Sequence, residues 1–190
     1  MSSEKYGDIV NCTATAWAGY NESFNEKLKT IRILKVEMVR PLVLAIAVKL
    51  RPDLAMRCMD FVVSCVVRSS VASTNRRYLE SSYADIAKDI SSESLKTKNT
   101  IRDRLKAVAP NNTEFETAFS NFSVKSPPLA RYYLQKIESE AVSGRTLIPN
   151  EDPSYVNLEH ILPKIAGSSW SNLMQNRIKL TVTDWAIIAC

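Results

Sequence analysis

Apolar positions recur at helical spacing along this chain from near its start to about residue 147. Between Glu22 and Leu34, Phe24, Leu28, Ile31 and the Ile33-Leu34 pair return close to every 3.6 residues, which predicts an amphipathic helix. A second helix is predicted over Glu37 to Lys49, with Pro41 in its first turn, where the missing amide proton has no intrahelical partner to lose. Pro52 opens a third, from Asp53 to about Ser70. Its apolar residues, among them Leu54, Met59, Phe61, Val62, Val63, Val66 and Val67, cover much of the circumference and predict a central place in the core.

Polar punctuation marks the helices that follow. Ser73-Thr74-Asn75 offers a cap before Arg76-Arg77, and Tyr83, Ile86, Ala87 and Ile90 continue with helical spacing. Leu95 to Val108 reads as amphipathic and strongly basic. Asn111 and Glu114 have the spacing of a capping box, and Phe115, Phe119 and Phe122 are expected to form the buried side of the short helix behind it. Pro127-Pro128 suits the start of a further helix, which Ser143-Gly144 ends.

The pattern then changes. Residues 145–154 read as a linker carrying Pro149, Asn150, Asp152 and Pro153. A short strand containing Glu159 and His160 follows, ended by Pro163. Beyond a Gly167-Ser168-Ser169 loop, Arg177 to Val182 alternates as a second strand does. The expected organisation is therefore mainly α: a multi-helix bundle over 1–147 and a small two-stranded unit over 148–190.

Composition narrows the setting. With 190 residues, 45% of them hydrophobic, the chain can bury one good core. The longest apolar stretch, Pro41 to Leu50, is far short of the roughly 20 residues a membrane span needs, and the opening Met1-Ser2-Ser3-Glu4-Lys5 does not resemble a signal peptide, so a cytoplasmic location is expected. Cys12, Cys58, Cys65 and Cys190 form no Cys-x-x-Cys pair and read as free thiols. Cys58 and Cys65 share a helix face as small core residues. A net charge of +5 leans towards an acidic partner. The cations Arg76, Arg77, Lys96, Lys98, Arg102, Arg104 and Lys106 alternate with Glu80, Asp85, Asp89 and Asp103, so solvated helix faces are the preferred reading over a track for DNA. Trp170 and the Tyr132-Tyr133 pair are likewise read as packing aromatics.

The chemistry-bearing segment is Glu159-His160, which contains the only histidine. A carboxylate beside an imidazole can hold a divalent cation and take a proton from water. The run Glu159-His160-Ile161-Leu162-Pro163-Lys164 resembles the opening of the HNH nuclease motif in the C-terminal region of GmrSD-type, modification-dependent restriction endonucleases. Ala130-Arg131-Tyr132 upstream is similar to that family's helix before the motif, and Val39-Arg40-Pro41-Leu42 to the start of a helix in its middle region. The resemblance implies a partial ββα-metal unit cutting DNA, with His160 as general base, Glu159 as ligand of Mg²⁺ or Mn²⁺, and Lys164, Arg177 and Lys179 as candidate DNA contacts.

The motif is incomplete here. The family's second strand carries Gly-Asn-Leu after Arg-Ile, whereas Arg177-Ile178 is followed by Lys179-Leu180-Thr181. Asn176 precedes the strand, Asp184 is no better than an ordinary surface aspartate, and the final residues Trp185 to Cys190 do not resemble the expected metal helix. The family's N-terminal Asp-Gly-Gln-Gln-Arg motif does not occur in these 190 residues either. The expectation is a truncated HNH-like nuclease, impaired or inactive. The alternative is a non-catalytic helical module or subunit fragment that binds a protein partner or a second copy of the chain.

Overall fold

In the computed structural model, which describes residues 2–13 and 19–141, the helices are α1 Ser2–Asn11, α2 Glu22–Ile33, α3 Arg40–Lys49, α4 Pro52–Val71, α5 Arg76–Ser91, α6 Lys98–Val108, α7 Asn112–Ser120 and α8 Pro127–Ala141, with a 3-10 turn at Glu37–Val39 leading into α3. Side chains satisfy the first free amides of α5, α6 and α7, whereas α3 and α4 carry Pro41 and Pro52 in their first turns. Asn75 Oδ1 accepts from the amides of Arg77 and Tyr78 at 3.0 and 3.2 Å. At α7 the capping box is complete, with the Glu114 amide donating to Asn111 Oδ1 at 3.0 Å and the Asn111 amide to Glu114 Oε2 at 2.9 Å. α6 begins three residues beyond the expected Leu95, because the Thr97 hydroxyl accepts the Thr100 amide and caps it there.

Helix ends follow a rule that the glycines do not announce. After α1, α2, α4 and α5 the chain turns through a left-handed residue, and these are Cys12, Lys35, Ser73 and Glu93. Each closes the same pair of bonds: after α2, the Val36 amide reaches Ile31 O at 3.3 Å and the Lys35 amide reaches Arg32 O at 3.1 Å. The same pattern holds Thr74 to Ser69 and Ser94 to Asp89. This is the Schellman closure, built here with residues that carry a Cβ. Gly19, at φ +84, meets a different demand: a Cβ there would lie 2.6 Å from Pro52 Cγ.

The chain divides into two compact units, Met1–Phe122 and Ser123–Cys190. In the first, α3 lies against α1, α4 and α5, and α4 lies against α2, α3, α6 and α7. The central position expected for α4 is thus found. Its buried stripe, Ala55, Cys58, Met59, Val62, Cys65, Val66 and Ser69, faces Phe24, Leu42, Ile46, Tyr83, Ile86, Ile101 and Leu105 from the other helices in one core. Burying each large side chain is worth about 1.5–3 kcal/mol, far more than any exposed ion pair on the surface.

One packing expectation is corrected. α7 buries none of its residues: Phe115 and Phe122 are half-buried and Phe119 is 38% exposed. The three rings stack on one another instead, at 5.6 and 6.2 Å between centroids. The spacing gave the right common face, but α4 is the main helix packed against α7 within this unit, so that face is only partly covered. In the second unit, Ala130, Tyr132 and Tyr133 of α8 are buried, and the two tyrosine rings meet edge-on at 5.4 Å. No described residue is in a strand. The expected two-stranded unit over 148–190, the boundary at 147 and the Ser143-Gly144 helix end lie outside the described residues.

Candidate functional site

The residues expected to carry the chemistry, Glu159 and His160, and the expected DNA contacts Lys164, Arg177 and Lys179, all lie outside the described residues. So do Trp170, Asn176 and Asp184. Nearest upstream among the matched segments, Ala130-Arg131-Tyr132 sits in the first turn and a half of α8, a helix opened by Pro127-Pro128. Among the described residues no three His, Cys, Asp or Glu side chains gather to share a metal ion, and no helix is long and apolar enough to cross a membrane.

Within the first unit, two polar constructions stand out. The first is buried. Tyr83 Oη and Cys65 Sγ lie 3.6 Å apart between α4 and α5, and the thiol also reaches Leu105 O at 3.7 Å. Burial pushes the Tyr83 phenol far above its ordinary range, and it raises the Cys65 thiol as well. Cys58, on the same face, is pushed up to about 11, again by burial. Thiols held protonated in an apolar setting are poor nucleophiles and poor metal ligands, so both cysteines serve packing, as their spacing suggested.

The second is an open groove of about 690 Å³ between α4, α6 and the start of α7. Arg68 lines it: its guanidinium donates to Pro110 O at 3.2 Å and Asn112 Oδ1 at 2.8 Å and lies over the Phe115 ring at 4.9 Å. Arg102 and Lys106 line the α6 wall, and Lys98, one turn before Arg102, extends over the ring of Phe61 at 5.8 Å. The sequence pattern placed these cations on solvated faces, and several do pair there: Lys96 with Glu93, Arg104 with Asp89 and Arg102 with Asp103, at 2.9 to 3.0 Å. Hidden from the pattern was Arg68. It is isolated among the apolar residues of α4, and nothing local marks it as facing α6.

The chain matches no family model, no curated protein and no solved structure.

Proposed function

We propose that this protein is a metal-dependent DNA endonuclease of restriction type, with its chemistry on Glu159 and His160. The single observation that carries the reading is the contiguous Glu159-His160-Ile161-Leu162-Pro163 run, preceded in the right order by the Ala130-Arg131-Tyr132 segment, which lies in a helix. His160 accepts a proton from water as the general base. The water oxygen forms the new bond to phosphorus as the bond to the sugar oxygen breaks, and that oxygen leaves with a proton from solvent. Glu159 would hold a divalent ion, which would supply charge neutralisation on the phosphate and on the leaving oxygen. One carboxylate and one imidazole are a thin donor set for Mg²⁺, which demands near-octahedral oxygen ligation, and fit Mn²⁺ better. With no Gly-Asn after Arg177-Ile178, weak turnover is the expected outcome.

A second reading, a non-catalytic helical interaction module, is favoured by one observation: Met1–Phe122 is a compact unit with its own buried core. Plasmid nicking by the purified chain separates the two. The nuclease reading expects slow nicking with Mn²⁺ and less with Mg²⁺, cut by about two to four orders of magnitude in His160→Ala. Nicking that survives His160→Ala overturns the site, and no nicking with either metal leaves the module.

A further inference from the structure

We propose that the groove between α4 and α6 binds a nucleic-acid strand through its phosphates. The surface itself stands on the geometry of the first unit alone; the choice of DNA as its occupant rests on the nuclease reading. Lys98, Arg102 and Lys106 stand four residues apart on α6, which sets them about 6 Å apart along the helix axis and makes a row about 12 Å long. Arg102 and Lys106 of that row line the groove together with Arg68 of α4, which is held in place by Pro110 O, Asn112 and the Phe115 ring. A row of evenly stepped cations suits a polymer of repeating phosphates, where a single pocketed anion would need convergent ones.

The nearby carboxylates do not cancel this charge within the groove. Asp60 pairs with Lys27 at 3.2 Å, and Glu114 is the one carboxylate among the groove's lining residues, set against Arg68, Arg102 and Lys106, so the lining keeps a net positive charge. Asp103 holds Arg102 at 3.0 Å, but both side chains are exposed, and such a pair is worth only about 0–1 kcal/mol, so Arg102 can exchange it for a phosphate. Lys106 makes no ion pair with a described residue.

The deepest apolar side chains of the groove are closed to an occupant. Leu105 is 1% exposed and Cys65 2%, so the groove offers those apolar side chains to no partner. Helix-in-groove docking needs open apolar anchors at helical spacing. Phe61, half-buried at the rim beside Lys98, is the aromatic placed to meet a base.

The test is binding of the full-length chain to a labelled DNA duplex of about 20 base pairs across a salt series, read without divalent metal so that cleavage plays no part. Each neutralised phosphate contributes about 0.9 to the slope of log K against log salt, so Arg102→Glu with Lys106→Glu should weaken binding more than tenfold and flatten the slope by about 1.8. The matched control, Arg32→Glu with Lys35→Glu, changes net charge equally at a separate cleft beside α1 and α3 and should leave the slope near the parent's. Should the reversed pair fail to fold, Arg102→Gln with Lys106→Gln makes the same comparison with a smaller perturbation. Absence of duplex binding, or equal losses in both charge reversals, overturns the proposal. So does polyglutamate binding as tight as the duplex, which would assign the groove to an acidic polypeptide. His160→Ala should bind like the parent; loss of nicking with binding intact would fail neither reading, and loss of groove binding with nicking intact would sink the groove alone.

Discussion

The guanidinium of Arg68 lies 4.9 Å over the ring of Phe115 while bonding Pro110 O and Asn112 Oδ1, and so ties α7 to α4. Since α7 buries no residue, this one side chain contributes an unusual share of its docking. Arg68→Ala is expected to lower unfolding free energy by about 1–3 kcal/mol, and Arg68→Lys to recover little, because an ammonium cannot stack and bridge two acceptors at once. Urea melts measure the first effect and amide exchange in α7 locates it. A loss below about 0.5 kcal/mol with unchanged α7 protection would show that α7 is held by other contacts.

The left-handed Lys35 predicts a gain. An L residue in this conformation costs roughly 1–2 kcal/mol, against the roughly 0.5–1 kcal/mol that glycine loses through extra freedom in the unfolded chain. Lys35 sits at φ 56 with an exposed side chain, so Lys35→Gly is expected to stabilise the fold by about 0.5 kcal/mol. A lower melting temperature would mean that the lysine side chain contributes more than its backbone costs.

Tyr20 predicts sensitivity to alkali. Its hydroxyl donates to Ala47 O at 2.9 Å, and burial pushes its pKa from 10.0 up to about 12. The folded state therefore favours the protonated phenol. Its contribution is fully present below pH 10 and is lost as pH rises from there towards 12, where the unfolded chain has already given up the proton. Stability measured by denaturant across this window should fall more steeply for the parent than for Tyr20→Phe. Parallel curves would sever Tyr20 from the alkaline loss.

Cys58 and Cys65 predict chemical silence. With both thiols buried and their pKa values raised, neither should react with a thiol reagent at pH 8 until the chain unfolds. Peptide mapping after alkylation under native and denaturing conditions reads each cysteine separately, and Cys12, likewise buried with its pKa raised, should behave alike. Rapid native labelling of Cys65 would reveal an opening of the α4–α6 contact.

Much of the helical fold was legible because its signals are local. The prolines at 41, 52 and 127, the Asn75 cap and the Asn111/Glu114 box act within four residues of where they stand, and each marks a helix start in the structure. Helix ends were less legible. The left-handed closures at Cys12, Lys35, Ser73 and Glu93 use residues that ordinarily avoid that conformation, and only the packing of the flanking helices repays the strain. The partial exposure of the Phe115, Phe119 and Phe122 face was also beyond sequence, since periodicity tells which residues share a face and says nothing of what covers it. The candidate nuclease residues Glu159 and His160 rest on sequence alone.

By itself the sequence determined the helical periodicity, the caps and the apolar stripe of α4, because each depends on bonds and spacings within a turn or two of the chain. Tertiary structure decided which faces meet. Placing α6 beside α4 brought Arg68 into one groove with residues more than thirty positions away, made Arg102 and Lys106 part of its wall, set Lys98 over the Phe61 ring, and buried the Cys65 thiol against Leu105 O. Those relations follow from burying the shared core of α4, α5 and α6, a long-range term that local spacing does not carry.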